Sequence, residues 1–223
     1  MNITYIHHSG FLVETDRFYY LFDYEKGDLP QLDVTKPIFL LSSHSHGDHY
    51  NPEVFSLLRK AGMRTVRAVL SDDIEVPGDV DTLSVAAGSE YRLGDRQTLT
   101  TFLSTDLGVA FLLEEEDFLI YHAGDLNDWV WDEETEDYNR EMTASYRSQI
   151  RLLSETLKGR KVHAAFVVLD PRQEKNYDRG MVHFLENIDT DLVYPMHYWD
   201  DPGIIGTFLK DHPEYASRIQ KTE

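Results

Sequence analysis

The sequence predicts a mixed α/β (α+β) fold: two packed β-sheets with helices outside them, in four layers (αββα). Two observations carry that reading. Short β-branched and aromatic runs dominate the first half, the second half mixes them with helical runs, and helical segments fall at intervals in both halves. No Gly-rich phosphate loop follows the first strand, since Gly27, Gly47 and Gly62 fit neither GxGxxG nor GxxxxGKS, which disfavours a doubly wound parallel sheet. At 223 residues the chain has the length of one medium-sized domain, 1–223, with little room for a second core.

Residues 3–13 and 18–22 are rich in β-branched and aromatic types and read as strands, with 14–17 as a hairpin turn. Residues 37–41 form a short continuous apolar run, the pattern of a strand covered on both faces. That run feeds a polar loop, 42–50. Asn51-Pro52-Glu53 then reads as an N-cap, a proline at the first helical position and an acidic first turn, so a helix is expected over 52–60, stopping at Ala61-Gly62. Further strands are expected at 65–70, 82–85, 98–103, 109–113 and 118–122. A long helix follows at 142–158, ended by Gly159, then a strand at 163–169, a short helix at 181–187, a strand at 192–196 and a last helix at 203–210.

Composition narrows the function. With 41% hydrophobic and 27% charged residues the chain is expected to be globular. There is no cysteine, which excludes disulfides, thiolate metal ligands and a cysteine nucleophile. The formal net charge of −19 opposes binding to nucleic acid, which relies on Lys and Arg to displace counterions. Part of that charge lies in two acidic runs, 114–117 and 132–137, read as solvated turns. The N-terminus lacks a basic region followed by an apolar run, and no stretch reaches the roughly 18–20 apolar residues of a membrane helix. The default expectation is a cytoplasmic protein with a small-molecule substrate and no membrane partner. Oligomeric state is left open.

The strongest signal is Ser43-His44-Ser45-His46-Gly47-Asp48-His49, directly after the apolar run 37–41. If the strand continued, His44 and His46 would point the same way, and Gly47 would let the chain turn to bring Asp48 and His49 alongside. Imidazole and carboxylate donors suit zinc and other borderline divalent ions, whereas calcium or magnesium would call for mostly oxygen.

This segment resembles the HxHxDH motif of the metallo-β-lactamase superfamily. Tyr121-His122-Ala123-Gly124-Asp125 looks like the later motif whose aspartate bridges two metals in that family, and Tyr194-Pro195-Met196-His197-Tyr198 resembles the last histidine motif. Leu169-Asp170-Pro171 sits where relatives often carry a strand ending in Asp-Pro, and Tyr5-Ile6-His7-His8-Ser9-Gly10-Phe11 is similar to the first strand pair of lactonase-like and uncharacterised hydrolase branches. The motifs span nearly the whole chain in the family's order. The resemblance implies the metallo-β-lactamase fold, with His44 and His46 on a first metal, Asp48, His49 and His197 on a second, and Asp125 bridging both.

One departure stands out. Relatives place a further histidine on the first metal, between HxHxDH and the aspartate motif. Here that stretch reads Leu103-Ser104-Thr105-Asp106-Leu107-Gly108. Asp106 is the candidate substitute, with Thr105 or a water as alternatives, or a weakly held first ion. His8, His122, Arg172 and Tyr198 are candidates for supporting the ligands or touching substrate, packing being the plainer role for His8.

The chemistry implied is metal-dependent hydrolysis of a small ester, lactone or phosphoester. Divalent ions, zinc foremost with manganese and iron as alternatives, bring the pKa of a bound water to about 7 and polarise the substrate oxygen. Asp48 is the catalytic candidate, orienting the nucleophile or shuttling its proton. Rival readings are a metal-binding or degenerate protein without turnover, a nuclease, and a di-iron oxidoreductase. Iron-binding relatives replace one motif histidine by glutamate, whereas His46 is kept here.

Overall fold

The order of pairing along the chain builds two six-stranded mixed sheets. The structure is a computed structural model that describes residues 1–76, 78 and 80–221. It divides into two compact units, Met1–Ala86 and Ala87–Glu223.

The first unit holds β1 (Asn2–His7), β2 (Gly10–Glu14), β3 (Tyr19–Phe22), β4 (Ile38–Ser42), α1 (Glu53–Lys60), β5 (Val66–Ser71) and β6 (Asp81–Val85). Its sheet runs in sequence order, antiparallel from β1 to β3 and parallel from β3 to β6. β4 is buried along its whole length, as its continuous apolar run predicts. Helix α1 buries Val54, Phe55 and Leu58, which join Leu21, Leu40, Ala68 and Leu70 in one apolar cluster. Asn51 Oδ1 accepts the Glu53 amide at 2.9 Å, the expected capping contact at this helix start.

The second unit holds β7 (Glu90–Arg92), β8 (Gln97–Leu103), β9 (Val109–Glu115), β10 (Phe118–His122), α2 (Glu136–Leu157), β11 (Val162–Val168), a 3₁₀ segment (Pro171–Asn176), α3 (Arg179–Asn187), β12 (Thr190–Met196) and α4 (Gly203–Asp211), before a short 3₁₀ turn (Pro213–Tyr215). β7 to β10 pair antiparallel, and β10, β11 and β12 pair parallel. Helix α2 buries Tyr146, Ile150, Leu153 and Leu157, a stripe at helical spacing. Among the described residues no helix is long and apolar enough to cross a membrane.

Four expectations are corrected. The strand expected over 3–13 is two strands, broken at His8-Ser9, because His8 adopts a left-handed φ of 53° and reverses the chain. The helix expected from 142 begins at Glu136. Thr135 caps it by accepting the Tyr138 amide at 3.1 Å, and Glu136 and Asp137 face the positive helix end, so the acidic run 132–137 is partly a helix start. The run 114–117 is also no plain turn: Glu114 and Glu115 close β9, Glu115 is buried, and only Glu116 and Asp117 make the hairpin to β10. Finally β4 stops at Ser42, so His44 and His46 are placed by a turn and not by strand alternation. β7 and the 3₁₀ segment Pro171–Asn176 were not expected.

Gly180 at the start of α3 packs where a side chain has no room. A Cβ there would collide with Asn127 Oδ1 and lie 3.2 Å from the Asp128 amide. Asn127 is itself held by Gln173 at 2.8 Å, and the Gly180 carbonyl accepts the Tyr146 hydroxyl at 2.7 Å. Gly180→Ala is therefore expected to destabilise the protein by about 1–3 kcal/mol, read as a lower urea midpoint at unchanged slope. Thr135→Ala should cost about 1 kcal/mol through loss of the α2 cap, read the same way.

Candidate metal centre

In the first unit the site grows from one buried carboxylate. Asp23 follows β3, and β3 lies parallel to β4 with Phe22 opposite Leu41, which sets Asp23 beside the start of the histidine loop. Its Oδ1 accepts the Ser43 amide at 2.7 Å and its Oδ2 accepts the Ser43 hydroxyl at 2.7 Å. The same Oδ2 lies 2.8 Å from His49 Nδ1. Ser43 Oγ in turn lies 3.0 Å from His44 Nδ1. Asp23, Ser43, His44 and His49 are all fully buried. With Nδ1 engaged by the carboxylate, Nε2 of His49 is the nitrogen that would meet a cation, the arrangement that orients histidine ligands.

The loop then turns tightly, with the amides of His49 and Tyr50 donating to the His46 carbonyl at 3.0 and 2.9 Å, while the Ser45 amide donates to Asp73 at 2.8 Å. The turn brings together the rings of His44 and His46 at 4.7 Å and those of His44 and His49 at 4.1 Å. Ligand atoms of His44, His46 and Asp48 all lie within 4.8 Å of one another. His8, at the tip between β1 and β2, is also brought here: its Nε2 is 3.5 Å from Asp48 Oδ2.

In the second unit a matching arrangement surrounds His197. Asp170 follows β11, His197 follows β12, and the two strands are parallel with Val168 opposite Met196. Asp170 Oδ2 lies 3.0 Å from His197 Nδ1. Arg172 closes back on the same carboxylate, donating from Nε at 3.0 Å to each oxygen and from its backbone amide at 2.9 Å. Burial pushes the Asp170 pKa up, but the bonds from His197 and Arg172 outweigh it and hold the pKa at about 2, so the group is ionised. On its other side His197 Nε2 is 3.3 Å from Asp125 Oδ1.

The Asp125 loop is braced from several directions. The Gly124 amide donates to His122 Nδ1 at 3.1 Å, and Trp129 Nε1 donates to the Asp125 carbonyl at 2.8 Å. Thr105 Oγ1 donates to the Asn127 carbonyl at 2.6 Å and accepts the Asn127 amide at 2.9 Å. Thr105 thus ties down the loop, while Asp106 offers a carboxylate oxygen within 4.8 Å of one from Asp125. Arg172 lies over the Trp199 ring at 4.5 Å, so its guanidinium is committed to Asp170 and Trp199, and Tyr198 is buried.

This donor set fits a divalent ion. Imidazoles fixed by buried carboxylates, with further carboxylates beside them, are the borderline ligands that zinc favours. The separations of 3.3 Å (His197–Asp125) and 3.5 Å (His8–Asp48) exceed the preferred N–H···O length. They come close to the edge of about 3.3 Å that a tetrahedral zinc with bonds of about 2.0–2.1 Å sets between its ligands. Two supporting carboxylates therefore matter: Asp23, outside the motifs, and Asp170, of the strand-ending Asp-Pro segment. Their signal in the sequence is a lone carboxylate directly after an apolar strand, in Tyr20-Leu21-Phe22-Asp23 and Val168-Leu169-Asp170.

No family model matches the chain, and no curated protein matches it. Solved structures do. The metallo hydrolase Igni18 from the hyperthermophilic archaeon Ignicoccus hospitalis is 14% identical, with a TM-score of 0.67 over 99% of this chain and 94% of that one. CmlA from Streptomyces venezuelae, a diiron β-hydroxylase, is 13% identical with a TM-score of 0.60 over 98% of this chain and 52% of that one. The metallo-β-lactamase fold protein YhfI from Bacillus subtilis is 12% identical, with a TM-score of 0.61 over 97% of this chain and 90% of that one. At such identities the likeness concerns architecture: this chain has the metallo-β-lactamase fold.

Proposed function

We propose that the protein is a metal-dependent hydrolase acting on a small ester, lactone or phosphoester. The observation that carries this reading is the pair of buried carboxylate–imidazole contacts, Asp23–His49 and Asp170–His197, each engaging Nδ1 of one motif histidine, so that Nε2 is the nitrogen that would meet a cation. By the motif resemblance His44, His46, Asp48, His49, Asp125 and His197 would be metal ligands, zinc by donor chemistry, with Asp106 in the place of the missing histidine. When bound, the metal supplies a water acidic enough to ionise near neutral pH and a Lewis acid for the substrate oxygen.

The residues of the chain supply the rest. Asp48 orients the attacking water through a carboxylate oxygen and takes up its proton. His122, Trp129 and Thr105 hold the Asp125 loop rigid, and Arg172 keeps Asp170 ionised, so that neither carboxylate drifts as charge builds on the substrate. The net charge of −19 and the lactonase-like opening strand pair support a small substrate over a nucleic acid. The likeness to CmlA favours a second reading, a di-iron oxidoreductase. His46, standing where iron-binding relatives carry glutamate, speaks for hydrolysis.

Metal analysis of the purified protein, followed by a panel of chromogenic esters, lactones and phosphodiesters with added zinc, manganese or iron, tests the reading. Bound zinc or manganese with hydrolytic turnover is the expected result. Bound iron without hydrolysis would overturn it in favour of the oxidoreductase. Asp125→Ala and His197→Ala should each lower metal-dependent turnover by more than about 100-fold, beyond what loss of a supporting residue costs. Full activity at full metal content in either variant would remove that residue from the centre. Asp170→Asn keeps the shape of the side chain but loses its charge, and should weaken metal affinity about 10–100-fold, measured by chelator competition.

A further inference from the structure

We propose that His8 is itself a metal ligand, joining Asp48 and His49. The inference rests on the metal-dependent reading above and extends it, because the motif resemblance places no ligand before His44.

Four observations support it. His8 sits at the tip of the β1–β2 hairpin, a position that is ordinarily solvated, yet it is only 2% exposed. Its φ of 53° lies in the left-handed region, uncommon for a residue other than glycine, so the turn fixes the backbone that carries the ring. Ligand atoms of His8, Asp48 and His49 all lie within 4.8 Å of one another. The contact to Asp48 has the length of a coordination edge and not of a strong hydrogen bond, and the His8 ring meets His49 edge to face at 5.5 Å, so the two imidazoles approach one point from different directions.

The hairpin is built to hold the ring in place. The His8 amide donates to the Tyr5 hydroxyl at 2.9 Å. Gly10, two residues on, permits the reversal, since a Cβ there would lie 2.9 Å from the His7 carbonyl and 3.1 Å from that of Asp23. The neighbouring His7 is committed elsewhere, to Glu25 at 2.7 Å. Imidazole and carboxylate are the donors that zinc and other borderline divalent ions favour.

The test substitutes His8→Asn, which tolerates the left-handed backbone, with His7→Asn as the neighbouring control. Full-length proteins are loaded with Co²⁺ and Zn²⁺, and the readouts are metal stoichiometry, affinity by chelator competition and the visible Co²⁺ absorption. His8→Asn is expected to lose affinity for one ion by more than about 100-fold and to change the Co²⁺ spectrum, while His7→Asn behaves as the parent. If His8→Asn keeps the parent's stoichiometry, affinity and spectrum while only turnover falls, His8 is a positioning or substrate residue and the proposal is overturned. Thermal melting of the metal-free proteins identifies a folding defect, and His8→Gly, at ease with the same backbone, then serves as the second variant. If the parent binds neither ion, the metal-dependent reading fails first, a result distinct from the failure of His8 alone.

Discussion

A buried carboxylate must be matched by donors, and Asp23 meets Ser43 and His49 of one loop. It accepts the amide and hydroxyl of Ser43 and faces the ring of His49. The dependence is mutual. Asp23 meets these donors only when the histidine loop is folded over it, and that carboxylate in turn fixes the ring of His49. The sheet supplies the third condition, because the parallel register of β3 with β4 brings Asp23 level with the point where β4 ends.

The second unit repeats the device with different parts. Asp170 and His197 again follow adjacent parallel strands, and Arg172 does there what Ser43 does for Asp23, filling the remaining lone pairs of the acid. In both units a histidine is held beyond the carboxyl end of a parallel pair. Parallel strands end together and release their chains side by side, so polar groups from distant parts of the sequence emerge as neighbours where backbone pairing stops. This is the same reason that open α/β sheets bind ligands beyond those ends.

Much of this was legible in advance, and the exceptions have physical causes. Continuous apolar runs such as Ile38–Ser42 marked the buried strands, and the histidine-rich loop announced its chemistry because such residues rarely cluster after a core strand. β7 escaped because Glu90-Tyr91-Arg92 is short and partly exposed at a sheet edge, where burial imposes no pattern. The early start of α2 was hidden by acidic residues that suit a solvated loop and a helix start equally well, and only the Thr135 cap separates them. The break at His8 was hidden by the alternation around it, although Ser9-Gly10 signals a turn. Asp23 and Asp170 are single acids whose importance comes from strand register, and register is a property of pairs that a linear reading does not contain.

All three tryptophans of the chain, Trp129, Trp131 and Trp199, belong to the second unit, and two of them flank His197, with ring centroids at 5.5 and 5.7 Å. Trp131 stacks on Trp129 at 5.9 Å with an interplanar angle of 3°. Intrinsic indole fluorescence therefore originates entirely around this one histidine. Its intensity responds to changes in the surroundings of that imidazole, since the emission of an indole depends on the groups in contact with it. The first unit, which carries tyrosine but no tryptophan, is silent in that signal.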